Sequence, residues 1–405
     1  MMDIRAIRKE FPILSQQVNG YPYIYFDNGA TTQKPKTVLD TLQTLYSQQN
    51  SNIHRGAHHF SNLLTDKFEQ ARLTIQKFIN AEHHYEIIFT SGTTASINLV
   101  ATSFGNTFLN AGDEIIIGQF EHHSNIVPWQ MIAERKNAKI KVLPGLPNGE
   151  LNISALKNLI TEKTKLIAVA QVSNSTGVIH PVKEIIRIAH QYDIPVLVDA
   201  AQSIQHLPID VRDLDADFLA FSGHKIYGPT GIGILYGKER WLDKMHPYMG
   251  GGEMIDKVSF EKTTYNKLPF KFEAGTPHYI GGIALGEAIR FIEDTGIENI
   301  VDYEKDLYRY ALEKISNIDQ LKIIADTPGK TSVISFIHPK IPASDLGTLL
   351  DKFGIAIRTG HHCAQPTMDF FGISGTARVS LALYNTKDEI DFFVEKFQKI
   401  IKLFL

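Results

Sequence analysis

The chain has 405 residues, 43% of them apolar and 21% charged, an ordinary globular balance with length enough for two or three domains. A formal net charge of −3 gives no electrostatic case for nucleic acid or an anionic membrane, so neither is expected as a partner. One cysteine excludes an intrachain disulfide, no apolar run could span a bilayer, and the N-terminus M-M-D-I-R-A-I-R-K-E-F lacks a signal-peptide core; a cytoplasmic location is the expectation.

In chain order, residues 4–14 read as a short amphipathic helix ending at Pro12. From about residue 86, strand-like and helix-like segments alternate. Strands are predicted over 86–90, 113–118, 139–144, 165–172, 195–200 and 217–222, with helices over 94–108, 125–136 and 182–192 between them. Near-continuous apolar strands separated by helices imply a mostly parallel α/β sheet covered on both faces. A helical region from 281 to 294 then leads into a different pattern: helices at 299–316, 343–353 and 387–403, and strands at 322–325 and 331–338. This predicts a smaller α+β domain. The expected division is an N-terminal segment 1–20 packing with the small domain, a large domain 21–284, and a small domain 285–405.

Ligands in open α/β sheets bind at the carboxyl ends of the strands, and the polar residues of this chain gather there. The first strand runs into S-G-T-T and a helix, where Thr93 and Thr94 offer hydroxyls and free N–H groups to a phosphate; taken alone, the same pattern is a threonine N-cap. P-V-L-V-D-A-A-Q places Asp199 at a buried strand end, fit to pair with a cationic ring nitrogen or merely to cap a turn, with Gln202 three residues on. F-L-A-F-S-G-H-K-I-Y-G-P sets Ser222, His224 and Lys225 after another apolar strand, and a desolvated lysine there suits a Schiff-base amine. F-E-H-H-S-N brings His122 and His123, able to stack on a flat ring or move protons. A phosphate cradle, a ring-nitrogen aspartate, an amine and a stacking histidine together describe a pyridoxal phosphate site. The lone cysteine, Cys363 in R-T-G-H-H-C-A-Q-P, lies on a loop after the strand-like G-I-A-I. Arg358, His361 and His362 make its surroundings electropositive, suited to a thiolate nucleophile.

These motifs, with H-R-G, V-S-N, G-G-G-E-M-I and F-E-A-G-T-P, resemble the class V aminotransferase family of fold-type I pyridoxal phosphate enzymes. Within it the similarity is to the group II cysteine desulfurases of the SUF iron–sulfur assembly system, along essentially the whole chain. The resemblance implies a seven-stranded, mostly parallel sheet, pyridoxal 5'-phosphate as cofactor, L-cysteine as substrate and L-alanine as product. It implies Lys225, Cys363 and His122 as catalytic, with cofactor contacts from Thr93, Thr94, Asp199, Gln202, Ser222, His224, Lys225 and, from the second subunit of a homodimer, Thr276. Substrate contacts would come from Asn174, Arg358, Arg378 and His54, an arginine fork suiting a carboxylate. Sulfur would pass to Cys363 as a persulfide and then to an acceptor protein. Ser344, where enzymes serving the zinc-containing SufU scaffold tend to carry histidine, favours a SufE-like acceptor. N-G-A-T-T-Q-K-P departs from the family's usual serine and alanines, and local repacking is expected there. A selenocysteine lyase on the same scaffold is the nearest alternative. A zinc site from His54, His58, His59, His361, His362 and Cys363 is a remote one, since the spacings form no known ligand pattern and no metal is expected.

Overall fold

The computed structural model describes residues 3–404. The large sheet has seven strands: β1 (Ile87–Thr90), β2 (Glu114–Gly118), β3 (Lys139–Leu143), β4 (Thr164–Ala170), β5 (Val196–Asp199), β6 (Phe218–Ser222) and β7 (Gly233–Gly237). Their order across the sheet is β1-β7-β6-β5-β4-β2-β3. Neighbours from β3 to β6 pair in parallel, and β7 runs antiparallel to both β6 and β1.

Alternate side chains of each strand enter two separate cores, because successive Cβ atoms point to opposite faces. Ile116, Ile167, Val196, Val198, Leu219 and Ile234 pack with α1 (Lys36–Gln48), α2 (His59–Phe78) and the later helices Val182–His190 and Tyr279–Thr295. Ile115, Ile117, Leu166, Leu197, Phe218 and Leu235 pack with α3 (Thr93–Phe108) and α4 (Val127–Lys136). Both faces are therefore dry, and that explains why the strands read as unbroken apolar runs.

The helix expected over 125–136 starts at Val127, after a separate 3-10 turn over His123–Asn125. Likewise the N-terminal helix stops at Lys9, and Pro12 opens a 3-10 turn (Pro12–Ser15) where it was expected to close a helix. A proline ring fits a first helical position, where no N–H is needed. Arg8 of this segment pairs with Glu389 at 2.9 Å, whereas Phe11 lies in the large sheet's core.

Past the large sheet, Tyr279–Thr295 is one uninterrupted helix, so the boundary expected near 285 falls inside it. Its buried residues, from Ile280 to Ile292, belong to the large sheet's core. Beyond it a four-stranded antiparallel sheet forms from Lys322–Ile323, Val333–Ile337, Thr376–Ser380 and Arg358–Gly360, in that order. Helices Ile297–Ser316, Ala343–Asp351 and Lys387–Phe404 enclose its core. Ile24 and Phe26 join that second core, and strand Ile24–Tyr25 pairs in parallel with Ile355–Ala356. This long-range pair lay outside the sequence reading, since two-residue strands carry no periodicity.

Candidate active site

The carboxyl ends of the parallel strands face the four-stranded sheet across a cleft of about 210 Å³, partly open to solvent. Each strand delivers its functional group through the turn that ends it. After β1, Gly92 (φ +147°) leads into α3, and Thr93 N–H and Oγ1 both meet Ser222 Oγ, at 2.8 and 2.7 Å. The close approach of β7 requires glycine at 233, where a Cβ would stand 2.4 Å from Gly92 Cα. Thr94 Oγ1 lies 2.9 Å from Ser124 Oγ. A group of hydroxyls thus surrounds the N-terminus of a sixteen-residue helix, a place that favours an anion.

Asp199 ends β5 and is 4% exposed, and its Oδ1 accepts the Ala201 N–H at 2.9 Å. Burial raises its pKa despite that bond and the nearby Lys225. Burial also lowers the Lys225 pKa, to about 8; Asp199 opposes this, and Arg378 and Arg358 add to it. The amine is therefore within reach of its neutral, nucleophilic form near neutral pH. His122 accepts the Ser124 N–H on Nδ1 at 3.0 Å, which places the proton of the neutral ring on Nε2. Burial first, then the charge of Lys225, pushes its pKa to about 3. His224 is lowered to about 4 by burial, with Lys225 and Lys34 adding.

Arg378 is 1% exposed and donates from Nη1 to the Asn174 carbonyl at 2.7 Å and from Nη2 to Asp27 Oδ1 at 3.2 Å. Arg358 Nη1 lies 3.6 Å from the other Asp27 oxygen, so one carboxylate spans both arginines. Asp27 escaped the sequence reading because its partners lie more than three hundred residues away. Gly29, Ala30, Ser124, Val172 and Ala201 also line the cleft and were missed, being small residues whose signal is only the room they leave.

Cys363 lines the same cleft as Lys225, and so do Thr93, Thr94, His122, Asn174, Asp199, Gln202, Ser222, His224, Arg358 and Arg378. His54 and Thr276 do not. His54 sits edge-on to Phe270 with its Nε2 3.5 Å from Glu69, and Thr276 is exposed on the loop after Glu273. One expectation fails: His362 supplies no positive charge. Its ring is buried with Nε2 2.8 Å from Thr376 Oγ1, and burial, then Arg378 and Arg358, drive its pKa to about 2. No group of three or more metal-ligating side chains occurs among the described residues.

The residues fit pyridoxal phosphate. Gln202 Oε1, Asn174 Oδ1 and Arg378 Nε are buried in the cleft wall without protein partners, which leaves them open to the polar groups of a bound molecule. Asp199 is a buried carboxylate whose cationic counterpart would be a ring nitrogen.

Residues 24–393 match the aminotransferase class-V family, and the chain belongs to it. It is 48% identical over 401 residues to a cysteine desulfurase of Wigglesworthia glossinidia brevipalpis, covering 98% of each chain. The cysteine desulfurase CsdA of Escherichia coli, in its S-sulfonic acid form, superposes with a TM-score of 0.93 at 37% identity over 100% of both chains. The apo cysteine desulfurase of Thermococcus onnurineus NA1 does so with 0.94, also at 37%, over 99% of this chain and 98% of that one.

Proposed function

We infer that the cleft converts L-cysteine to L-alanine and leaves the sulfur on Cys363 as a persulfide: the protein acts as a pyridoxal phosphate-dependent cysteine desulfurase. The observation that carries this is the opening of Lys225 and Cys363 into one cleft. Thr93, Thr94, Ser222 and His224 would hold the cofactor's phosphate, Asp199 its ring nitrogen, Gln202 its ring hydroxyl and Lys225 its carbonyl carbon. When bound, the cofactor supplies an electron sink next to the substrate Cα.

The protein's own groups do the rest. Arg378, oriented by Asp27 and the Asn174 carbonyl, offers its free Nε to the substrate carboxylate, with Arg358 alongside. Lys225 as free amine takes the Cα proton, and His122, with its own proton on Nε2, would lie against the cofactor's ring. Cys363 Sγ then attacks the substrate sulfur. An S–S bond forms, the C–S bond breaks, and its electron pair stays with the carbon that becomes the alanine methyl, which takes up one proton; a second proton returns to Cα. An acceptor thiol later removes the outer sulfur from Cys363 and restores the thiol.

Thr276, outside the cleft of its own chain, would reach a partner's cofactor in a homodimer. Group II motifs and Ser344 support sulfur supply to iron–sulfur cluster assembly through a SufE-like acceptor in the cytoplasm. No described helix is long and apolar enough to cross a membrane. Cys363→Ser tests the thiol: the bound cofactor's visible absorption stays, while sulfur transfer to an acceptor thiol disappears. Transfer at the parent rate would refute the assignment.

A further inference from the structure

His362 and Cys363 both hold a φ of +54°, in the left-handed region that few residues other than glycine adopt. Two consecutive residues stay there only when their surroundings over-determine them. The surroundings are the ends of two large-sheet strands. Asn174, beyond β4, donates from Nδ2 to the His362 carbonyl at 2.7 Å. His123, beyond β2, acts twice: its backbone N–H donates to the Cys363 carbonyl at 2.8 Å, and its Nε2 accepts the Gln365 N–H at 3.2 Å. With the Asn174 bond on the other side, they bracket the thiol along the chain. The adjacent histidines of E-H-H-S-N thus face different partners, for His122 lines the cleft and His123 does not.

We propose that His123 is a positioning residue for the Cys363 thiol, its backbone and ring together holding the cysteine loop in the left-handed course that turns the sulfur toward the cleft. The ring must be neutral to do so, because Nε2 accepts a hydrogen bond only without its proton. Burial, and the His361 ring with its centroid 5.9 Å away, lower the His123 pKa and so keep Nε2 free. The role rests on the reading of Cys363 as the sulfur-accepting thiol.

Alkylation of Cys363 by iodoacetamide in the holoenzyme, with hydrogen exchange at the Gln365 amide, tests the clasp. In His123→Ala the ring acceptor is gone and the backbone donor remains. Both rates should rise about fivefold, the worth of one ordinary hydrogen bond, with the cofactor's absorption unchanged. His123→Gln, whose side-chain oxygen reaches the place of Nε2, should bring both rates back near those of the parent. Sulfur transfer in His123→Ala should fall in kcat and keep its KM for L-cysteine. Parent-like alkylation and exchange in His123→Ala would overturn the proposal, and so would a cofactor-retaining His123→Gln that behaves like it. Should His123→Ala not fold, the parent decides alone: a Gln365 amide that exchanges as fast as an unbonded one is the overturning result. Neither readout needs Cys363 to accept sulfur, so a failed clasp and a failed persulfide assignment give different results.

Discussion

Two buried aspartates stand at opposite ends of the large sheet and face opposite electrostatic fates. Asp217 precedes β6 at the amino end, 0% exposed and fully partnered. It accepts from His190 Nε2 at 2.8 Å, Val196 N–H at 3.0 Å, Arg240 Nη2 at 2.7 Å and Trp241 Nε1 at 2.8 Å. Burial alone would raise its pKa, yet the His190 bond, the Lys238 charge and the Arg240 bond bring it to about 2. Asp199 ends β5 at the carboxyl end with Ala201 N–H as its backbone donor, and its pKa is raised by burial. The same residue type in the same sheet is an anchor where the fold completes its hydrogen bonds and a reactive group where the fold withholds them. Withheld partners mark the functional end of this sheet.

Lys225→Ala should have the largest effect, a loss of roughly a thousandfold or more in alanine formation, with the melting temperature of the cofactor-free protein unchanged or higher. An activity within tenfold of the parent would mean that the under-partnered end of the sheet is not the reactive one. Asp199→Asn comes next, with about a hundredfold loss in kcat and a shifted cofactor absorption maximum, because a neutral amide cannot hold a ring proton. Its stability without cofactor should not fall, since the carboxylate's burial is a cost there.

At the other end, Asp217→Asn should leave kcat per folded molecule near the parent's and cost about 2 kcal/mol in urea unfolding. A kcat loss like that of Asp199→Asn would erase the distinction between the two ends. The smallest effect is the pH dependence of that stability difference. The folded pKa of Asp217, about 2, lies below the unfolded value of about 3.9, so its contribution is complete above the unfolded pKa. It fades as pH falls through the folded one. Parent and Asp217→Asn should therefore converge in melting temperature between about pH 5 and pH 2, whereas a constant gap would show that the carboxylate's charge is not what stabilises.

Much of the reactive end was legible because it is written in short range. V-L-V-D-A places Asp199 at a strand end because the apolar run stops there, and S-G-H-K carries Lys225 within three residues of β6. Thr93 and Ser222 could be named as polar strand-end residues, but their direct bond, across 129 positions, could not. Asp27 between two arginines, the pairing of Ile24–Tyr25 with Ile355–Ala356, and the neutral His362 all depend on contacts between distant segments. The helix through residue 285 belongs to the same class, since only its packing against α1 and α2 tells which core it serves.

By itself the chain determined the alternation of apolar strands and helices, the polar residues that end each strand, and the placing of its one cysteine on a loop. These are local properties, set by pleat, helical period and turn chemistry. Tertiary structure alone decided which of those polar groups would be completed by partners and which left open, because burial and hydrogen-bond satisfaction are fixed only when distant segments meet.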